Sequence, residues 1–165
     1  MKAWKILSAA ILLAGTGIAS ADPPKSASEF LADAMEGDNS EISLGQLAQS
    51  RGNSAGVRDF GATLVRDHTA AKMAVSNVAS AMGGPAPTDE MMPEAAAEKT
   101  KLNAMSGPSF DREFARYMVN DHRKDIAEFE AQAKSSDKTG ALAAQQLPTL
   151  KKHLSMARSL ESSSR

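Results

Sequence analysis

The stretch FARYMVNDH at residues 114–122 decides how this chain is read, because FGATLVRDH at residues 60–68 is its twin. In each copy a Phe (Phe60, Phe114) stands eight residues before a His (His68, His122). Leu64 or Met118 follows the Phe by four, a Val comes next, and Asp-His closes the unit. The chain has three histidines; two of them end these twins, and the third is His153.

Working outward, both twins lie in segments of helical periodicity. Around 60–68 the seam Val57, Gly61, Leu64, His68, Ala71, Val75, Val78, Met82 advances in steps of four and three, which is helical rather than strand spacing. Gly83-Gly84-Pro85 stops it. Around 114–122 the seam is Ala115, Val119, His122, Ile126, Phe129, Ala133, with Ser109 as the cap and Asp111 in the first turn. In both seams the His is the one polar member.

Two more helices flank these. The first opens on a capping box, Ser26 with Glu29 three residues on, and runs to about residue 50 along Phe30, Ala34, Gly37, Glu41, Leu44, Ala48. Only Glu41 is polar there. The last is capped by Asp137 and runs to about 162, with His153 on a seam beside the more apolar stripe Leu147, Leu150, Leu154, Ala157. Pro148 is expected to kink or divide it.

Between the twins, residues 83–109 form a connection far longer than a helix hairpin needs. Pro85, Pro87 and Pro93 break its first part, and 94–105 reads as a short helix. It is long enough to travel back along a bundle, so that the second twin runs parallel to the first. The predicted fold is all-α: a four-helix bundle with a long middle connection carrying a short extra helix. Aromatics make up 4% of the residues, which suits close helix packing, and no segment alternates as a strand does.

The first 21 residues read as a secretory signal. Lys2 and Lys5 precede a largely apolar run, and Ala19-Ser20-Ala21 fits a small-x-small cleavage site. Cleavage after Ala21 leaves a domain at 22–165 that is exported to the periplasm or secreted. No later run approaches the roughly 20 apolar residues of a membrane span. With no cysteine, disulfides and thiolate metal sites are excluded. The charge balance does not suggest nucleic acid. No residue pattern names a partner, and assembly into a homo-oligomer stays open.

Counting from the tight turns, Glu41 and His68 lie about 12 and 14 residues from the first, and His122 and His153 about 14 and 16 from the last. At about 1.5 Å per residue each pair is level to within roughly 3 Å. One polar residue per helix therefore meets near mid-bundle. Three imidazoles and a carboxylate suit a transition-metal ion such as zinc, copper or iron. Asp67 and Asp121, about 100° around the helix from their histidines, are placed to accept the second N–H of a His on a neighbouring helix. The competing reading is a buried Glu–His network that fixes packing with every group paired. Met118 and Met156, near His122 and His153, would favour copper, but a Met on an apolar stripe is usually just core filler.

The motifs Glu41-Ile-x-Leu-Gly-x-x-Ala48, the two Val-x-Asp-His units, Ser106-Gly107-x-x-Phe110-Asp111 and Leu147-Pro148-x-Leu-x-x-His153 resemble a bacterial exported, ferritin-like family of unknown function. Its members are often labelled outer membrane proteins. The resemblance spans about 26–160 and implies a ferritin-like four-helix fold, with little implied about activity. Di-iron bundles carry Glu three residues before His. Here those positions are Val65, Val119 and Leu150, which argues against an oxygen-activating di-iron centre. The expected function is metal handling or stress protection at Glu41, His68, His122 and His153. The alternatives are a non-catalytic interaction bundle and, less favoured, an oxidoreductase.

Overall fold

The computed structural model describes residues 23–84, 86 and 88–163. The expected export signal lies outside the described residues. Five helices follow one another: α1 (Ala27–Arg51), α2 (Ala55–Met82), α3 (Pro93–Asn103), α4 (Gly107–Gln132) and α5 (Lys138–Ser163). Among the described residues there is no strand.

Local chemistry accounts for the boundaries. Ser26 and Glu29 form the capping box of α1, each side chain taking the other's backbone N–H. Ser54 caps α2 through the Val57 N–H. Gly83 ends α2 in the left-handed region at φ 63°, which a glycine enters without a Cβ clash. Two expectations shift. Helix α4 starts at Gly107 rather than after Ser109, whose hydroxyl donates instead to the Ser106 carbonyl. Asp111 serves another helix: its carboxylate accepts the Asn53 and Ser54 N–H groups, both at 2.8 Å, at the start of α2.

Pro148 does not divide α5, which is one continuous helix. The ring removes a bond to the Ala144 carbonyl. Both residues are exposed, so that carbonyl stands in solvent. His153 points inward and is fully buried, and the buried side of α5 is Leu142, Ala143, Leu150, His153, Ala157. This is a blend of the two stripes seen in the sequence.

The connection climbs back along α1. Asn39 donates to the Thr88 and Glu90 carbonyls, Ser40 accepts the Met92 N–H, Lys99 donates to Ser43, and Arg51 donates to the Asn103 and Met105 carbonyls. Helix α4 then runs in the direction of α2. The Phe60–Phe114 and His68–His122 ring separations, 6.1 and 6.0 Å, are nearly equal eight residues apart.

Helices α1 and α2 touch closely at a glycine pair. A Cβ on Gly61 would stand 2.6 Å from the Gly45 carbonyl oxygen, and one on Gly45 would stand 2.8 Å from the Gly61 oxygen. No side chain fits between the backbones there.

The interior is layered. One apolar cluster gathers Leu44, Phe60, Leu64, Phe110, Phe114 and Met118 with their neighbours. The other gathers Phe30, Leu31, Met35, Val75, Phe129 and Leu150. Along every long helix the residues between the two clusters are polar: Asp38 and Glu41 on α1, His68 on α2, His122 on α4, His153 on α5. All five are buried. This polar layer is the unusual feature of the fold, because buried polar groups are costly unless they are paired.

Candidate functional site

Each histidine in the layer has one nitrogen fixed by an oxygen. His122 Nδ1 donates to the Met118 carbonyl at 3.1 Å, one turn back on its own helix. His68 Nδ1 donates to Asp38 at 2.9 Å, from α2 to α1. His153 Nε2 donates to Asp67 at 2.9 Å, from α5 to α2. A carbonyl or carboxylate can only accept, so each contact puts a proton on that nitrogen; in the neutral ring the other nitrogen keeps its lone pair.

The lone-pair nitrogens His68 Nε2, His122 Nε2 and His153 Nδ1 are buried without a protein partner. The rings converge, with centroids 5.2–6.0 Å apart. One ring nitrogen from each lies within 4.8 Å of the others. In a tetrahedral shell with bonds of roughly 2.0–2.1 Å the nitrogens stand roughly 3.3 Å apart, which lies inside that limit.

Burial favours the neutral imidazole at His122 and His153. Burial pushes His122 well below the usual histidine range, and the neighbouring His68 and His153 add to the shift. Burial likewise takes His153 down to about 4, despite its bond to Asp67. A neutral imidazole is the metal-binding form.

Glu41 joins the layer from α1. One of its oxygens is 4.0 Å from His68 Nε2, and neither has a hydrogen-bond partner. Burial holds its pKa well above the carboxylate range, and the charges of Asp121, Asp125 and Asp38 push in the same direction. Glu41, Asp121 and His122 form a second group with donor atoms within 4.8 Å of one another. The donors thus form two overlapping groups that meet at His122, three imidazoles on one side and two carboxylates on the other.

The four residues expected to meet are therefore all in the layer. Asp67 accepts from His153 across helices. Asp121 does not bond a histidine on a neighbouring helix and faces Glu41 instead. Reading the seams missed Asp38, the acceptor for His68, although it lies three residues before Glu41 and so on the same helix face. It also missed Asp125, whose pKa burial and then Asp121 hold well up. The Tyr117 hydroxyl is pushed up by burial and by the nearby charge of Asp121.

These features define an all-helical bundle with a histidine–carboxylate layer across its core. The family described as "Domain of unknown function (DUF4142)" matches residues 14–160, and the chain belongs to it. The crystal structure of a DUF305 fragment from Deinococcus radiodurans is similar, with a TM-score of 0.72 and 17% identity over 86% of this chain and 99% of that one. At that identity the likeness speaks for the fold alone. No curated protein matches the chain. No helix among the described residues is long and apolar enough to cross a membrane.

Proposed function

We propose that the protein is an exported, periplasmic bundle of the ferritin-like four-helix kind that holds a transition-metal ion at His68, His122 and His153, with Glu41 in the fourth position. Its role is metal handling or protection under metal or oxidative stress. One observation carries the reading: each imidazole is fixed through one nitrogen, its other nitrogen is buried without a protein partner, and the three rings converge in one layer. Orienting a ligand histidine through its second nitrogen is how metal sites are tuned, and Asp38, Asp67 and the Met118 carbonyl do so here. Imidazole-rich donors favour zinc, copper or iron over magnesium or calcium. Export is supported by the residue pattern at 1–21.

The competing reading, a network that only fixes packing, requires every buried group to be paired. The two Asp–His bonds fit it. However, six atoms of the layer have no protein partner: Asp38 Oδ2, both Glu41 oxygens, and one nitrogen on each histidine. The cost of leaving such an atom unpaired is roughly 1–3 kcal/mol, although Glu41 and Asp121 can also share a proton. An ion with its ligands removes most of that cost.

The test is a thermal melt of tag-free protein with and without one equivalent of Zn²⁺ or Cu²⁺. The reading expects a raised Tm, and no increase in His122→Ala. An unchanged Tm in the wild type, together with no metal in protein purified without chelator, overturns it in favour of the network.

A further inference from the structure

Asp67 and Asp121 hold the same place in the twin segments, yet they meet different partners. Asp67 reaches from α2 to α5 and accepts from His153. Asp121 reaches from α4 towards α1 and meets Glu41. An Asp–His pair is satisfied by the imidazole proton, whereas two facing carboxylates repel unless a proton or a cation stands between them.

Among the described residues no lysine or arginine is paired with Glu41 or Asp121. Lys72 and Lys124, whose charges reach this group, are ion-paired outward to Asp89 at 3.0 Å and Glu94 at 2.8 Å. Glu41 is only 2% exposed with both oxygens unpartnered, and Asp38 Oδ2 is buried and unpartnered as well. Fully ionised, Asp38, Glu41, Asp121 and Asp125 would carry four negative charges, whereas without a cation burial favours the protonated forms of Glu41, Asp125 and Asp38. One divalent ion offsets half of that charge, and two offset all of it.

We propose a second cation site beside the imidazole site, formed by Glu41 and Asp121 with Asp125 and the free oxygen of Asp38 around it. It takes a hard, oxygen-preferring divalent cation of the Mn²⁺ or Mg²⁺ type. The proposal rests on the reading that three imidazoles hold the first ion, since that ion engages His122 Nε2. Glu41 then offers one oxygen to each ion.

The approach to the site has matching chemistry. A cavity of about 60 Å³ lies against it, and its walls include Asp33, Asp38, Asp121, Asp125 and Glu128. At roughly 10–15 Å³ per water this has room for the few waters such a cation keeps. Lys25 spans two of the wall acids, with its Nζ 2.5 Å from Asp33 and 2.8 Å from Glu128. Its ammonium stands where an entering cation's charge would be welcome.

The test titrates the metal-stripped chain first with Co²⁺, read by visible absorption and elemental analysis. Mn²⁺ follows, read by loss of the free-ion electron paramagnetic resonance signal. The expected result is one Co²⁺ and then one Mn²⁺ per chain. Asp121→Asn and Asp125→Asn should weaken Mn²⁺ binding at least tenfold while Co²⁺ uptake and its spectrum persist. Both variants remove a like charge at constant shape, and circular dichroism checks their helicity. No Mn²⁺ uptake by the Co²⁺-loaded wild type, or Mn²⁺ binding unchanged in both variants, overturns the second site and leaves the imidazole reading standing. No Co²⁺ uptake by the wild type overturns the imidazole reading, and the second site with it.

Discussion

In the twin at 60–68, the Asp-His pair gives both of its polar ends to neighbouring helices: Asp67 to His153 on α5, and His68 to Asp38 on α1. In the twin at 114–122, His122 bonds the Met118 carbonyl of its own helix, and Asp121 faces another acid. The parallel run of α2 and α4 sets the two pairs at one level. The neighbours then decide their chemistry. His68 has a carboxylate acceptor, which raises a ligand's basicity, while His122 has only a neutral carbonyl. The twins also differ in backbone. Gly61 allows α1 to touch α2, whereas the matching position on α4 is the buried Ala115.

The backbone difference gives the largest expected effect. Gly61→Ala drives a methyl to 2.6 Å from the Gly45 oxygen, with the Ala48 Cβ and Gln49 N close on either side. It should cost at least the roughly 1–3 kcal/mol of ordinary overpacking. The mirror change, Ala115→Gly, should cost only the roughly 0.5–1 kcal/mol of a glycine inside a helix. Denaturant melts of the two variants compare them directly, and equal losses would mean that the hairpins pack alike.

The polar difference comes next. Asp67→Asn should weaken zinc binding about 10- to 100-fold, because it removes the negative charge from the acceptor that orients His153. Asp121→Asn should leave zinc affinity within a few-fold and raise the Tm of the metal-stripped protein, since Glu41 loses a like-charged neighbour. Competition titration against a chromophoric chelator measures both affinities. Equal weakening would erase the distinction between the two aspartates.

The smallest effect lies one residue before each twin. Glu113 pairs with Lys101 at 2.5 Å and with Arg116, and these partners, Arg116 first, hold its pKa at about 2. A carboxyl held below its unfolded value stabilises the fold above about pH 4.5, and the gain is lost as the pH falls towards 2. Its cationic partners are half exposed, so Glu113→Gln should cost about 0.5–1 kcal/mol at pH 7 and nothing near pH 2. The matching residue, Asp59, is exposed, and Asp59→Asn should change stability by less than about 0.5 kcal/mol. Urea melts at the two pH values check both.

Much of this architecture was legible in the residues. The capping box at Ser26, the break at Gly83 and the long connection with its short helix placed the elements within a few residues. The seams brought three histidines to one level. What could not be read depends on partners far away in the chain. Asp111 looks like a first-turn acid of α4, yet it caps α2. Asp38 and Asp125 look like ordinary helix acids until α1 and α4 close over them. Gly45 and Gly61 read as small seam residues, and only the helix crossing shows that their backbones touch. His153 was ambiguous because two stripes of α5 compete, and packing against α2 through Asp67 decides between them.

X-ray absorption of the zinc-loaded chain tests the central claim most directly. Three imidazole nitrogens at about 2.0–2.1 Å, with their outer-ring scattering and one further oxygen, are predicted, and the pattern should lose one imidazole in His153→Gln. An all-oxygen shell, or a spectrum identical in wild type and variant, would contradict a metal centre built on His68, His122 and His153.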